Sequence, residues 1–227
     1  MSMLESAPRA ELLQRDDGEA WADPLRAPSW RALVEGRTPT SRVRRLVSAL
    51  LPVAAGPGRF MFASRVSQIG PDDAMDVFNV MHRSLTVEAA DADLGWRTVA
   101  IAIGLSDAEV DAALREPTAE ADDLVTVVRA FGYRSAHEGA AVAWALERRW
   151  PQLCGELAGA LSAHHKVDEP ALAHLRDQSE QAGSVADRCD RLVARYLQEP
   201  WEVFEGRRAA REVLWGLTAL LESVDVG

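Results

Sequence analysis

The chain is poor in the features that would assign it a reaction. Cys154 and Cys189 are its only cysteines, and their separation fits no zinc or redox pattern. Both fall on apolar rows of predicted helices, so buried free thiols are expected. The longest apolar stretch, Leu46 to Ala55, is interrupted by Ser48 and Pro52. It is far short of the roughly 20 residues that a membrane-spanning helix needs. The first residues, Met1 to Asp23, are acidic and mixed rather than basic and then apolar, so no signal peptide is expected and the cytoplasm is the expected compartment. No long Lys/Arg block offsets a net charge of -10, which argues against a nucleic-acid partner. Runs of β-branched residues with period-two alternation are missing, so no sheet is expected. Also missing are the nucleophile elbow, the phosphate-binding glycine loops, H-E-x-x-H and the Glu-x-x-His pair of di-iron bundles.

What is present is apolar residues at helical spacing. Hydrophobic residues make up 48% of the 227 positions, and the mean hydropathy of -0.13 describes a chain with an ordinary soluble surface. Residues 1–27 read as an arm rich in turn signals, and residues 28–227 as one all-α domain. The spacing predicts a short helix ending at Gly36. A second follows Thr38-Pro39-Thr40-Ser41 and runs to about Gln68, with a break at Gly56-Pro57-Gly58. A long third helix carries Met75, Phe78, His82, Leu85, Ala89, Ala92, Trp96, Val99 and Ile103 on one face. Ser106 to Glu109 spells a capping box. Further helices are predicted over about 118–131, 136–163 with a bend at Pro151, 170–197, and 201–224. On the last of these, Phe204, Val213, Leu214 and Leu217 read as core, and so does Trp215.

Polar residues on these apolar rows are the candidate site. His82 lies between Phe78 and Leu85, and Glu88 flanks the same face. Glu147 shares a row with Ala143, Trp150 and Cys154. An ionised carboxylate buried without a partner is costly, so Glu88 and Glu147 either have a task inside the bundle, which makes them candidate site residues, or turn outward to water. Trp96 and Trp144 are candidate walls of an aromatic pocket. His174, with Gln178 one turn further on, is a candidate contact to a bound molecule. His164 and His165 read as a positively charged end to their helix, and Arg42, Arg44, Arg45, Arg207, Arg208 and Arg211 as solvated faces.

The helix order, with the segments Ser29 to Gly36, Trp96 to Leu105, Glu138 to Pro151 and Asp168 to Leu175, resembles the heme-oxygenase-like superfamily, and within it the TenA, PqqC and CADD-like branch. The resemblance spans about residues 28 to 224. It implies a multi-helix bundle around a central small-molecule pocket, and a homodimer. The functional residues of the family match poorly. Where the thiaminases carry Cys-x-Trp-x-Tyr, this chain has Val142-Ala143-Trp144-Ala145-Leu146. Valine cannot act as the nucleophile. Where the di-iron oxidases carry His, Asp and His on one helix, the matching positions are Gln178, Ala182 and Val185. No metal and no cofactor are therefore expected. The resemblance implies a small-molecule binder, either a cofactorless oxidase or other biosynthetic enzyme using Glu88, Glu147 and His82, or a non-catalytic binding or partner protein. A metal oxidase with rearranged ligands (Glu88, Asp91 or Asp93, Glu147 and His174) is a further alternative.

Overall fold

A computed structural model describes Leu13 and residues 21–54, 89–132 and 134–223. These residues are all-helical, with no strand among them. After a 3-10 turn at Pro24–Arg26 come α1 (Pro28–Val34), α2 (Thr40–Ala54), α3 (Ala89–Ala102), α4 (Asp107–Arg115) and α5 (Ala119–Gly132). Then follow α6 (Ala136–Glu147), α7 (Trp150–His165), α8 (Glu169–Glu180), α9 (Ala182–Tyr196) and α10 (Pro200–Glu222).

Local chemistry sets many of these ends. Pro28 and Pro200 occupy the first turns of α1 and α10, where a missing N–H is harmless. Ser106 and Glu109 close the expected capping box of α4. Gly36, just beyond α1, adopts φ +73°, and α7 ends on Lys166 at φ 56°, a left-handed position taken here by a residue with a Cβ.

Two helices expected to be continuous are each divided. Residues 136–163 form α6 and α7, separated at Arg148 and Arg149. Residues 170–197 form α8 and α9, separated at Gln181, whose ψ of 0° takes the chain out of helix. The local sequence explains the second break: the stretch from Arg176 to Gln181 is polar throughout, and Gly183 follows. Packing explains the value of both breaks. α6 packs on α5, α9 and α10, whereas α7 packs on α1 and α8, and α8 reaches α3. Each break is thus where the chain passes from one group of helices to the other, while α2 touches α3, α4 and α5 and bridges the groups.

One apolar core runs through both groups. Trp30, Trp96, Trp144 and Trp150 are its largest fully buried side chains, and Cys154 and Cys189 are buried free thiols as expected. Leu13 and Leu25 belong to the same core, so the first 27 residues contribute to it directly. Phe204 and Trp215 depart from expectation. They are 70% and 58% exposed, because α10 buries the opposite face through Val213, Leu214, Leu217 and Leu221.

Candidate functional site

His82 and Glu88, along with the stretch 55–88 of the expected second and third helices, lie outside the described residues. The other candidates divide between the two groups of helices. Trp96 on α3 is fully buried, and its ring centroid stands 5.7 Å from that of Trp150 on α7, at 49° between planes. This tilted contact is a favourable aromatic arrangement. His174 on α8 closes against α3 at Gly95, where a methyl group would fall 2.2 Å from His174 Cγ. Trp96, Trp150 and His174 therefore belong to the meeting of α3, α7 and α8. The Trp96 indole N–H is buried there and has no hydrogen-bond partner among the described residues. An unsatisfied buried donor costs about 1–3 kcal/mol.

Trp144 belongs to the other group. Its Nε1 donates to Asp190 Oδ1 of α9 at 3.2 Å, Arg148 pairs with the same carboxylate oxygen, and the guanidinium lies 5.7 Å from the Trp144 ring centroid. Glu147 is half-buried at the last position of α6. Gln178 is half-buried on α8, and the break at Gln181 puts Ala182 and Val185 on a separate helix.

A further polar cluster went unrecognised in the sequence. Ser135 caps α6, accepting from Glu138 N at 3.2 Å and donating to Glu138 Oε2 at 3.0 Å. Glu138 is 1% exposed, and its Oε1 faces Arg134 at 3.5 Å and Arg208 of α10 at 3.4 Å. Arg208 is therefore part of this cluster rather than a purely solvated side chain. His137 Nε2 stands 2.8 Å from Glu205 Oε2 and 3.0 Å from Ser135 Oγ, and its ring meets that of Trp201 edge-on at 4.9 Å. Hydroxyl and carboxylate converge on one imidazole nitrogen. A nucleophilic triad needs them on opposite nitrogens, so no relay is formed. His137, Glu138 and Glu205 also bring three possible metal-ligating atoms within 4.8 Å. Two guanidiniums already balance Glu138, and the cluster reads as a capped helix start tied to α10. The Ser-x-x-Glu spacing at 135–138 was the available sequence signal for the cap; the contribution of Glu205 had none.

Two more features border this interior. A cleft of about 560 Å³ opens beside α1 and the start of α7, lined by Asp23, Arg26, Arg31, Arg149, Gln152 and Glu156. At Glu156 it receives the Trp30 N–H, at 2.7 Å. At the far end of α7, His165 Nδ1 lies 3.2 Å from Thr40 Oγ1, and His164 Nε2 lies 3.3 Å from the Val34 carbonyl. Burial, aided by the neighbouring His164, holds the His165 pKa below the usual histidine value.

No family model matches the chain, and a search of curated proteins finds no match.

Proposed function

We propose that this protein binds a small organic molecule in the bundle interior where α3, α7 and α8 meet, with Trp96 as hydrogen-bond donor and Trp150 as aromatic wall. The observation that carries this reading is the Trp96 indole N–H, fully buried and without a partner among the described residues. Buried donors are nearly always satisfied, and an exception in an aromatic-lined interior is what an acceptor-bearing, flat, mainly apolar ligand would use. The helical-bundle architecture and the resemblance to the TenA, PqqC and CADD-like proteins support the same reading. A catalytic form of it would be a cofactorless oxidation or another biosynthetic step.

The deciding experiment is extraction of the purified protein followed by mass spectrometry, on the wild type and on Trp96→Phe, which keeps a ring and removes the donor. The reading expects an organic molecule that co-purifies with the wild type and is retained roughly tenfold less by the variant, the worth of one hydrogen bond. A wild type that yields no molecule, together with a Trp96→Phe variant that is more stable than it, would show the orphan donor to be a packing cost only. In that case the reading fails.

A further inference from the structure

We propose that the cleft beside α1 and the start of α7 binds a small carboxylate that carries a hydroxyl or ammonium donor. This site is separate from the interior one and does not depend on it. The cleft volume of about 560 Å³ is in the range of small-molecule pockets. Apart from Leu25 its lining is polar or charged, so its occupant is polar too.

The partners of the lining residues decide which groups are left to meet a ligand. Asp23 and Arg26 pair with each other at 3.2 Å, and Asp23 also accepts from the Leu25 N–H at 3.3 Å. Arg31 stands 3.9 Å from Glu35, beyond hydrogen-bond reach, and that carboxylate is held by Arg37 at 2.6 Å. The half-buried Arg149 side chain makes no hydrogen bond or ion pair among the described residues. A guanidinium presents a planar fork of N–H donors that matches a carboxylate, and two of them line this cleft without an acceptor at hydrogen-bond distance.

Glu156 supplies the other half of the specification. It accepts one N–H at each oxygen, from the fully buried Trp30 at 2.7 Å and from Gln152 at 3.1 Å. Both donors are neutral, and no cation pairs with Glu156 among the described residues. A carboxylate offers about four acceptor positions, so room remains for a donor from a ligand. Trp30 holds the side chain in place before that ligand arrives. Arg149, Gln152 and Glu156 follow at steps of three and four, which puts them on one face at the start of α7. With Asp23 and Arg26 balancing each other, Arg31 and Arg149 stand against Glu156 alone, which leaves one positive charge in excess. A monocarboxylate matches that excess while its hydroxyl or ammonium group donates to Glu156. Sulfate, doubly charged and without a donor, meets neither requirement.

The test follows the Trp30 indole N–H and the Arg149 Nε–H by heteronuclear NMR while the full chain is titrated with lactate, alanine, propionate and sulfate. Lactate and alanine carry a carboxylate with a hydroxyl or an ammonium beside it, and propionate lacks the donor. The proposal expects saturable shifts of both signals with lactate, alanine or both, and binding of propionate and sulfate that is weaker by at least roughly fivefold. Whichever of the first two binds more tightly assigns the donor as hydroxyl or ammonium. Arg149→Gln should weaken that binding at least roughly tenfold, as loss of a charge-assisted hydrogen bond does. Circular dichroism verifies that the variant is folded, and Arg31→Gln, read at Trp30, takes its place if it is not. Absence of shifts with all four probes overturns the proposal. So does propionate or sulfate binding as tightly as the better of the other two, and so does unchanged binding by the folded arginine variant.

Discussion

His174 sits against Gly95 with no room for a methyl group between α8 and α3, since a Cβ at Gly95 would meet His174 Cγ at 2.2 Å. Gly95→Ala should therefore destabilise the chain by about 1–3 kcal/mol, the usual consequence of forcing atoms into a packed contact. The histidine ring is the obstruction, so adding His174→Ala should recover part of the loss. Thermal unfolding of the two single variants and the double variant measures this, and strictly additive losses would contradict the contact.

Acidification should weaken the fold through His165. Its folded pKa is lowered by burial and by His164, so below the ordinary histidine value of about 6.5 the unfolded chain takes up the proton more readily. Stability is then complete above that value and falls as the pH drops through it towards the lower folded pKa. Chemical denaturation at pH 7.5 and at pH 5.5 should show this loss, and His165→Gln should flatten the part of the slope that belongs to this residue.

Glu138 should matter for stability beyond its place in a cap. It is buried and meets Ser135, Arg134 and Arg208. Both guanidiniums are partly solvated, 57% and 39% exposed, which limits what each ion pair is worth. Glu138→Ala should cost about 1–3 kcal/mol, mostly through groups left unsatisfied. Equilibrium urea unfolding would reveal it, and a loss under about 0.5 kcal/mol, typical of surface sites, would contradict this account.

Tryptophans at similar helical spacing should behave oppositely. Trp150→Ala empties part of the core and should cost about 3–5 kcal/mol. Trp215→Ser should stay within about 0.5 kcal/mol, as exposed substitutions usually do. Midpoints of denaturant unfolding compare the two directly.

The same contrast shows what could be read from the sequence. The spacing of Trp96, Val99 and Ile103 identified a helix and its buried face, although Leu94 and Ile101 on the same helix are apolar and exposed. On α10 the spacing misleads. Phe204 and Trp215 resemble core residues in composition, and only the packing of Val213, Leu214 and Leu217 shows that they point the other way. The breaks at 148–149 and 181 were hidden for a related reason. Apolar periodicity continues across Pro151 and on to Cys189, while the turn depends on which neighbour each half packs against. Of the candidate site, Trp96 and His174 meet around α3 and α8, but Trp144 was placed with them only because its spacing matched. Its partner, Asp190, is 46 positions away, a distance no local pattern spans.

Because both divided helices break where the chain crosses between the two helix groups, α6 and α7 are covalently consecutive yet hardly share a packing surface, and the same is true of α8 and α9. Cooperative opening follows packing more closely than chain order. Amide hydrogen exchange under mildly destabilising conditions should therefore divide along spatial lines. Protection in α6 should be lost together with α9 and α10, and protection in α7 with α8, although the sequence interleaves them.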